Sequence, residues 1–186
     1  MKTLIYDCEI IKCIPSGARF SEFEYCGGWD DFKNMGISVV GYCWNGSFSY
    51  CLPPNWEKFL KFAEQADQIV GFNSKSFDDN LMKANGVKIT TTFDLLEEIR
   101  IAAYGSPHWQ DMPKKGYSYS LGRIGEANGF PKTGTGELAP QLWQQGRKEE
   151  VIQYCLNDVR ITHSLYNLFL EGKLKDPNTG LYLEKC

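Results

Sequence analysis

The sequence predicts one α/β domain built on a mixed sheet, in which the first three strands are antiparallel, the later strands are parallel and helices flank the sheet. A length of 186 residues suits a single domain. A hydrophobic content of 42% and an aromatic content of 14% predict a packed core rather than a disordered chain. We therefore expect one domain over 1–186, with a long insertion at about 10–35 and a flexible tail from about 171.

The first part of the chain has the pattern of antiparallel strands. Thr3–Glu9 is rich in β-branched and aromatic residues, which favours a strand. Ile37–Trp44 and Ser47–Leu52 flank the dipeptide Asn45-Gly46, which is typical of a two-residue type I′ hairpin turn. The long segment between the first two strands shows no clear hydrophobic period.

The rest of the chain alternates helical patterns with short apolar strands. The predicted elements are a helix over Trp56–Ala66, a strand over Gln68–Phe72, a helix over Asp78–Ala84, a strand over Lys88–Phe93, a helix over Leu95–Tyr104, a helix that Ser120 caps before Leu121, and a long helix over Lys148–Leu168. An antiparallel start followed by alternating helices and strands gives a mixed sheet with helices on its faces.

Charge and cysteine usage narrow the functional classes. The formal net charge of −3 excludes a protein that coats nucleic acid through its overall charge, although an enzyme that contacts one chain end remains compatible with it. Seven cysteines without a Cys-x-x-Cys pair, and only two histidines, disfavour a zinc site. No secretory signal or membrane-spanning run is visible, so we expect a cytoplasmic protein with reduced cysteines and no membrane partner.

Two carboxylates lie together on the first predicted strand. Asp7 and Glu9 are two residues apart, so both side chains leave the same face of the strand, and Cys8 points the other way into the core. Two like charges held this close repel each other, and a cation between them relieves that repulsion. The pair therefore indicates a metal site.

Two further carboxylates come later in the chain. Asp78 follows an apolar strand and opens a helix, where an ordinary dipole-stabilised Asp is the alternative interpretation. Tyr154 and Asp158 are four residues apart on the long helix and share one otherwise apolar face. A partly buried Asp158 needs a partner, for which Arg160 is the nearest cation in sequence; the alternative is a solvent-facing Asp.

In their order and spacing, these residues resemble the three motifs of the DEDD 3′–5′ exonucleases: Asp-x-Glu on the first strand, Asn-x-x-x-Phe-Asp after a later strand and Tyr-x-x-x-Asp on a late helix. Tyr154 places the resemblance in the DEDDy branch, because Gln153 stands where the histidine branch has His. The spacing from Asn73 to Asp78 is most similar to the proofreading exonuclease domain of family B DNA polymerases. The resemblance covers about residues 1–170 and implies a ribonuclease H-like fold.

The resemblance implies hydrolysis of phosphodiester bonds at 3′ ends with two divalent metal ions, Mg²⁺ or Mn²⁺. It implies that Asp7 bridges both ions, that Glu9 and Asp158 hold the ion that activates water, and that Asp78 helps to hold the other. These four residues are thus the expected metal ligands and catalytic carboxylates.

Three further residues complete the expected site. The resemblance implies that Tyr154 is catalytic and orients the attacking water through its hydroxyl, and a tyrosine of the core is the alternative interpretation. It also implies that Asn73 and Phe77 bind the terminal nucleotide, although Phe77 is equally compatible with core packing.

Single-stranded DNA 3′ ends are the expected partner. A 3′–5′ exoribonuclease of the ribonuclease D kind carries the same residues and is the first alternative, and a non-catalytic nucleic-acid-binding module on the same fold is the second. Segment 132–136 lacks the spacing of a phosphate-binding loop, so no nucleoside triphosphate site is expected. The sequence leaves the oligomeric state open.

Overall fold

The computed structural model describes residues 1–15, 20–134 and 136–184, and these form a five-stranded mixed sheet with the order β3-β2-β1-β4-β5. The strands are β1 Thr3–Ile10, β2 Ile37–Trp44, β3 Ser47–Cys51, β4 Gln68–Gly71 and β5 Phe93–Asp94. The first three pair antiparallel, whereas β4 is parallel to β1 and β5 is parallel to β4. The predicted α/β fold class and strand directions are confirmed.

Helices surround this sheet. They are α1 Phe32–Met35, α2 Glu57–Gln65, α3 Asp78–Ala84, α4 Leu95–Tyr104, α5 Leu121–Ala127, α6 Ala139–Gln144 and α7 Lys148–Leu170, with a 3-10 turn at Trp109–Asp111. Within the described residues, none of these helices combines the length and apolar character needed to cross a bilayer.

The strand predicted over Lys88–Phe93 is wrong for most of its length, because only Phe93 and Asp94 form β5. The backbone N–H of Thr91 donates to the carboxylate of Asp79 at 2.9 Å, so this part of the chain satisfies a backbone donor with a side chain instead of a neighbouring strand. Helix α6 was not predicted.

The hairpin between β2 and β3 has the predicted turn. Asn45 has φ 47° and Gly46 has φ 86°, and two positive φ values in a two-residue loop define a type I′ turn. The Asn-Gly prediction is confirmed.

Strand β1 lies at the centre of the sheet and is covered on both faces. Tyr6 and Cys8 pack on one side with Phe59 of α2, so Cys8 points into the core as predicted. On the other side α7 lies close against the sheet, since a Cβ atom added to Gly41 would come within 2.9 Å of the Cys155 Sγ. Helix α7 can therefore place its side chains directly over β1.

The insertion at about 10–35 is held to helix α6 near its start and near its middle, and its residues 16–19 lie outside the described part. The side-chain amide of Gln144 on α6 donates to the carbonyls of Ile11 at 2.9 Å and Glu24 at 3.1 Å, and its oxygen accepts from the Glu24 N–H at 2.7 Å. Beyond α7, Leu174 and Leu183 are buried. The single-domain organisation and the flexible tail stay predictions.

Candidate active site

The site begins with the acidic pair on β1. Asp7 and Glu9 lie on the strand face that α7 covers, and their carboxylate oxygens and the Cys155 Sγ all fall within 4.8 Å of one another. Glu9 is only 7% exposed, while Asp7 is partly exposed. A strand register that places both side chains on one face thus brings two acids into a largely buried position.

Asp78 reaches the same strand from the start of α3. Its Oδ1 accepts a hydrogen bond of 2.9 Å from the backbone N–H of Cys8, between the two β1 acids, and its side chain is buried. The turn before α3 folds tightly onto the end of β4, because a Cβ atom at Gly71 would lie 1.6 Å from the Ser74 Oγ. Only glycine allows this close return of the chain.

Asp94 holds the loop that carries Asn73 and leads to Asp78. Its carboxylate accepts from the backbone N–H groups of Asn73 at 2.9 Å and Lys75 at 3.1 Å, and also caps α4 through the Leu96 N–H at 3.0 Å. Asn73 adopts a positive φ of 61° within this arrangement. Asp94 was not among the residues predicted from the sequence, although an Asp at a helix start is a known capping signal.

Helix α7 adds Tyr154 and Asp158 as the sequence analysis expected. The cation beside Asp158 is Lys132, whose Nζ lies 2.7 Å from Oδ2 and 5.0 Å from the centre of the Tyr154 ring. The suggested partner Arg160 is wrong, because its guanidinium packs over the ring of Phe48 at 5.5 Å. Two residues along a helix, Arg160 points well round from Asp158.

The electrostatics of the acidic cluster disfavour its fully ionised form. Burial raises the pKa of Asp7, and the charges of Asp78 and Glu9 raise it further. Burial also raises the pKa of Glu9, with the charge of Asp158 adding to it, and raises the pKa of Asp78 to about 7. Burial raises the pKa of Asp158 although Lys132 opposes this effect. The cluster therefore lacks positive charge.

Lys132 supplies part of that charge. Burial alone would lower the pKa of Lys132, but the carboxylate of Asp158 outweighs burial and holds the pKa above its ordinary value, so the side chain stays an ammonium ion. In the sequence this lysine stood out only as part of the rejected phosphate loop. Its role was not visible, because 26 positions separate it from Asp158 and no local pattern joins the two.

The donor set fits divalent cations with a preference for oxygen. Asp158 Oδ1 and the Tyr154 hydroxyl are buried, and in the described part of the chain neither makes a hydrogen bond of ordinary geometry, although Tyr154 lies close enough to Lys132 and Asp158 to influence both. A buried carboxylate oxygen without a partner is costly unless an ion completes it. Burial raises the pKa of the Cys155 thiol in the absence of metal, and Mg²⁺ and Mn²⁺ prefer oxygen to sulfur, so the carboxylates are the candidate ligands.

An open cavity of about 500 Å³ lies over the acids. Asp7, Glu9, Asp158 and Tyr154 line it together with Phe77. Asn73 and Asp78 are not among its described lining residues, and Asp78 instead contacts the backbone of β1. The structure thus brings the four predicted acids and Tyr154 to one region, while the substrate contacts of Asn73 and Phe77 stay predictions.

The fold is shared with a protein of known structure. The family B DNA polymerase from the hyperthermophilic archaeon Pyrobaculum calidifontis superposes with a TM-score of 0.63 at 18% sequence identity, over 98% of this chain and 26% of the polymerase. This chain therefore spans about a quarter of the polymerase's length. The Trypanosoma brucei RNase D in complex with GMP gives a TM-score of 0.48 at 14% identity, over 89% of this chain and 49% of that one.

The likeness to the polymerase establishes the ribonuclease H-like fold that the sequence motifs implied. No protein-family model matches the sequence, and no curated protein matches it. At 18% identity the superposition shows the fold alone.

Proposed function

We propose that this chain is a metal-dependent 3′–5′ exonuclease acting on single-stranded DNA ends. The observation that supports it most is the convergence of Asp7, Glu9, Asp78 and Asp158, from one strand and two helices, on a single region next to an open cavity. Burial and mutual repulsion raise the pKa values of these acids, which is the arrangement expected where cations bind.

Each residue has a role in the proposed reaction. Two divalent cations, when bound, supply a water nucleophile at neutral pH and neutralise charge on the leaving oxygen. Asp7 and Glu9 on β1, with Asp158 from α7, hold one side of the site, and Asp78 closes the other side beside the Cys8 N–H.

Tyr154 is proposed to orient the attacking water, and Lys132 to bind the phosphate. The Tyr154 hydroxyl, which makes no described hydrogen bond of ordinary geometry, donates a hydrogen bond to the attacking water, since burial raises its pKa and keeps it protonated. Lys132 lines the same cavity and supplies a positive charge for the phosphate that the acids would otherwise repel.

Strands labelled at the 5′ end test both the direction of digestion and the choice between DNA and RNA. We expect the chain to shorten labelled single-stranded DNA one nucleotide at a time in Mg²⁺ or Mn²⁺, giving a ladder of labelled products. A 5′–3′ enzyme would release the label at once, and an endonuclease would give internal fragments. Matched RNA strands decide between DNA and RNA, because a contact to the 2′-hydroxyl sets that preference.

The variant Asp7→Asn tests whether digestion and metal binding depend on the acidic cluster. We expect it to abolish the ladder and the heat of Mn²⁺ binding in calorimetry, whereas Glu126→Gln, on the exposed surface of α5, should retain both. Digestion by Asp7→Asn at the parental rate would contradict the proposal. Strand binding without digestion in any metal would instead support the non-catalytic alternative.

A further inference from the structure

The insertion places exposed aromatic rings beside the acidic cluster. Trp29 is 65% exposed and Phe20 is 54% exposed, yet both line the cavity that Asp7 and Asp158 also line. Large aromatic side chains left in water beside a polar site are a common feature of ligand-binding surfaces. Neither ring belongs to the hydrophobic clusters that pack on the sheet.

Trp29 is held in place by the loop that leads to α3. Its ring lies 6.4 Å from the ring of Phe77 in an edge-on arrangement of 68°, and Phe32 contacts the same ring at 5.7 Å. The turn around Trp29 is closed by Asp31, whose carboxylate accepts from the Gly27 N–H at 2.6 Å. Phe77 immediately precedes Asp78, so the aromatic group is joined directly to the acidic cluster.

The cavity therefore offers two kinds of surface to one ligand. The carboxylates, with the cations that they are proposed to hold, and Lys132 suit a phosphate, while Trp29 and Phe77 offer ring faces and edges to a flat apolar group. A nucleotide has this combination, and its base can stack on an aromatic ring only when it is not paired within a duplex.

We propose that Trp29 is a specificity-determining residue that stacks on an unpaired base of the nucleic-acid strand whose 3′ end enters the site. The inference rests on the proposed exonuclease function and adds to it the reason for selecting single strands over duplexes. A ring supplied by the insertion makes the segment between β1 and β2 part of the substrate-binding surface.

The test is a double-mutant cycle that measures binding affinity after removing the Trp29 ring, the base, or both. Fluorescence anisotropy is measured with short 5′-labelled DNA strands in Ca²⁺, ending either in a normal nucleotide or in an abasic one. We expect Trp29→Ala to weaken binding of the normal strand about 5- to 150-fold, the range for the loss of one base–aromatic stack. An abasic end should weaken the parent by a similar factor and add little to the loss in Trp29→Ala.

Two variants serve as controls. Trp29→Phe retains a ring and should recover most of the affinity. Trp109→Ala removes a tryptophan that is 61% exposed but does not line the cavity, and it should bind as the parent does.

The outcomes separate the two proposals. If the parent digests single strands but Trp29→Ala distinguishes normal from abasic ends as strongly as the parent, the stacking role is refuted and the nuclease stands. If the parent neither binds nor digests strands of DNA or RNA, both proposals fall.

Discussion

Replacing Lys132 by Met tests whether its ion pair with Asp158 stabilises the acidic cluster. At 2.7 Å and an effective dielectric constant of about 20, the attraction between the two charges is about 6 kcal/mol before desolvation is subtracted. Removing one partner of a buried pair typically costs about 3–5 kcal/mol. The Lys132 side chain is 24% exposed, so we expect the lower end, about 3 kcal/mol.

The assay is thermal unfolding in metal-free buffer. For a chain of this size, about 3 kcal/mol lowers the unfolding midpoint by about 6–12 °C. Lys173→Met is the matched control, because its Nζ lies 2.8 Å from the Glu171 carboxylate, almost the same distance, while both side chains are more than half exposed. An exposed pair of this kind contributes little, so the control midpoint should match that of the parent.

Adding Mn²⁺ extends the test to the proposed metal site. The ions should raise the midpoint of Lys132→Met by more than that of the parent, since they replace the lost positive charge at the carboxylates. Equal unfolding midpoints for Lys132→Met and Lys173→Met would refute the reasoning. They would show that the buried Lys132 pair stabilises the fold no more than the exposed Lys173 pair.

Three further changes have defined expected outcomes. Asp7→Asn should raise the free energy of unfolding in metal-free buffer by about 1 kcal/mol in urea titrations, because it relieves repulsion among the acids; a destabilised variant would contradict this. Gly71→Ala should destabilise the chain by about 1–3 kcal/mol through its clash with Ser74, and adding Ser74→Gly should restore part of that loss in the same titrations. Gln144→Ala should speed cleavage within the insertion in limited proteolysis, while the far-ultraviolet circular dichroism spectrum stays unchanged. Cleavage at the parental rate would show that the hydrogen bonds of Gln144 do not hold the insertion in place.

The features predictable from the sequence were those set by local spacing. The two-residue period of β1 fixed Asp7 and Glu9 on one face, and the four-residue period of α7 did the same for Tyr154 and Asp158. The hairpin followed from Asn45-Gly46, since few other residues accept two positive φ values in succession.

The features that escaped prediction depend on contacts between distant segments. Asp79 accepts the Thr91 N–H in the segment where a long strand was expected, and Asp94 holds the loop before α3 by accepting from the backbone N–H of Asn73. Lys132 meets Asp158 only after α7 has docked on the sheet. No local sequence pattern predicts such contacts, because tertiary packing determines which distant residues come together.

The placement of α7 over β1 has a consequence for synthesis on the ribosome. The Cys155 Sγ contacts the carbonyl of Asp7 across 148 positions of sequence, and Asp158, one turn further along α7, lines the same cavity as Asp7. While α7 is still inside the ribosome, the nascent chain has β1 with Asp7 and Glu9 but lacks the helix that completes the acidic cluster. Contacts between such distant segments form late in folding, so the acidic cluster stays incomplete until α7 has emerged and packed on the sheet.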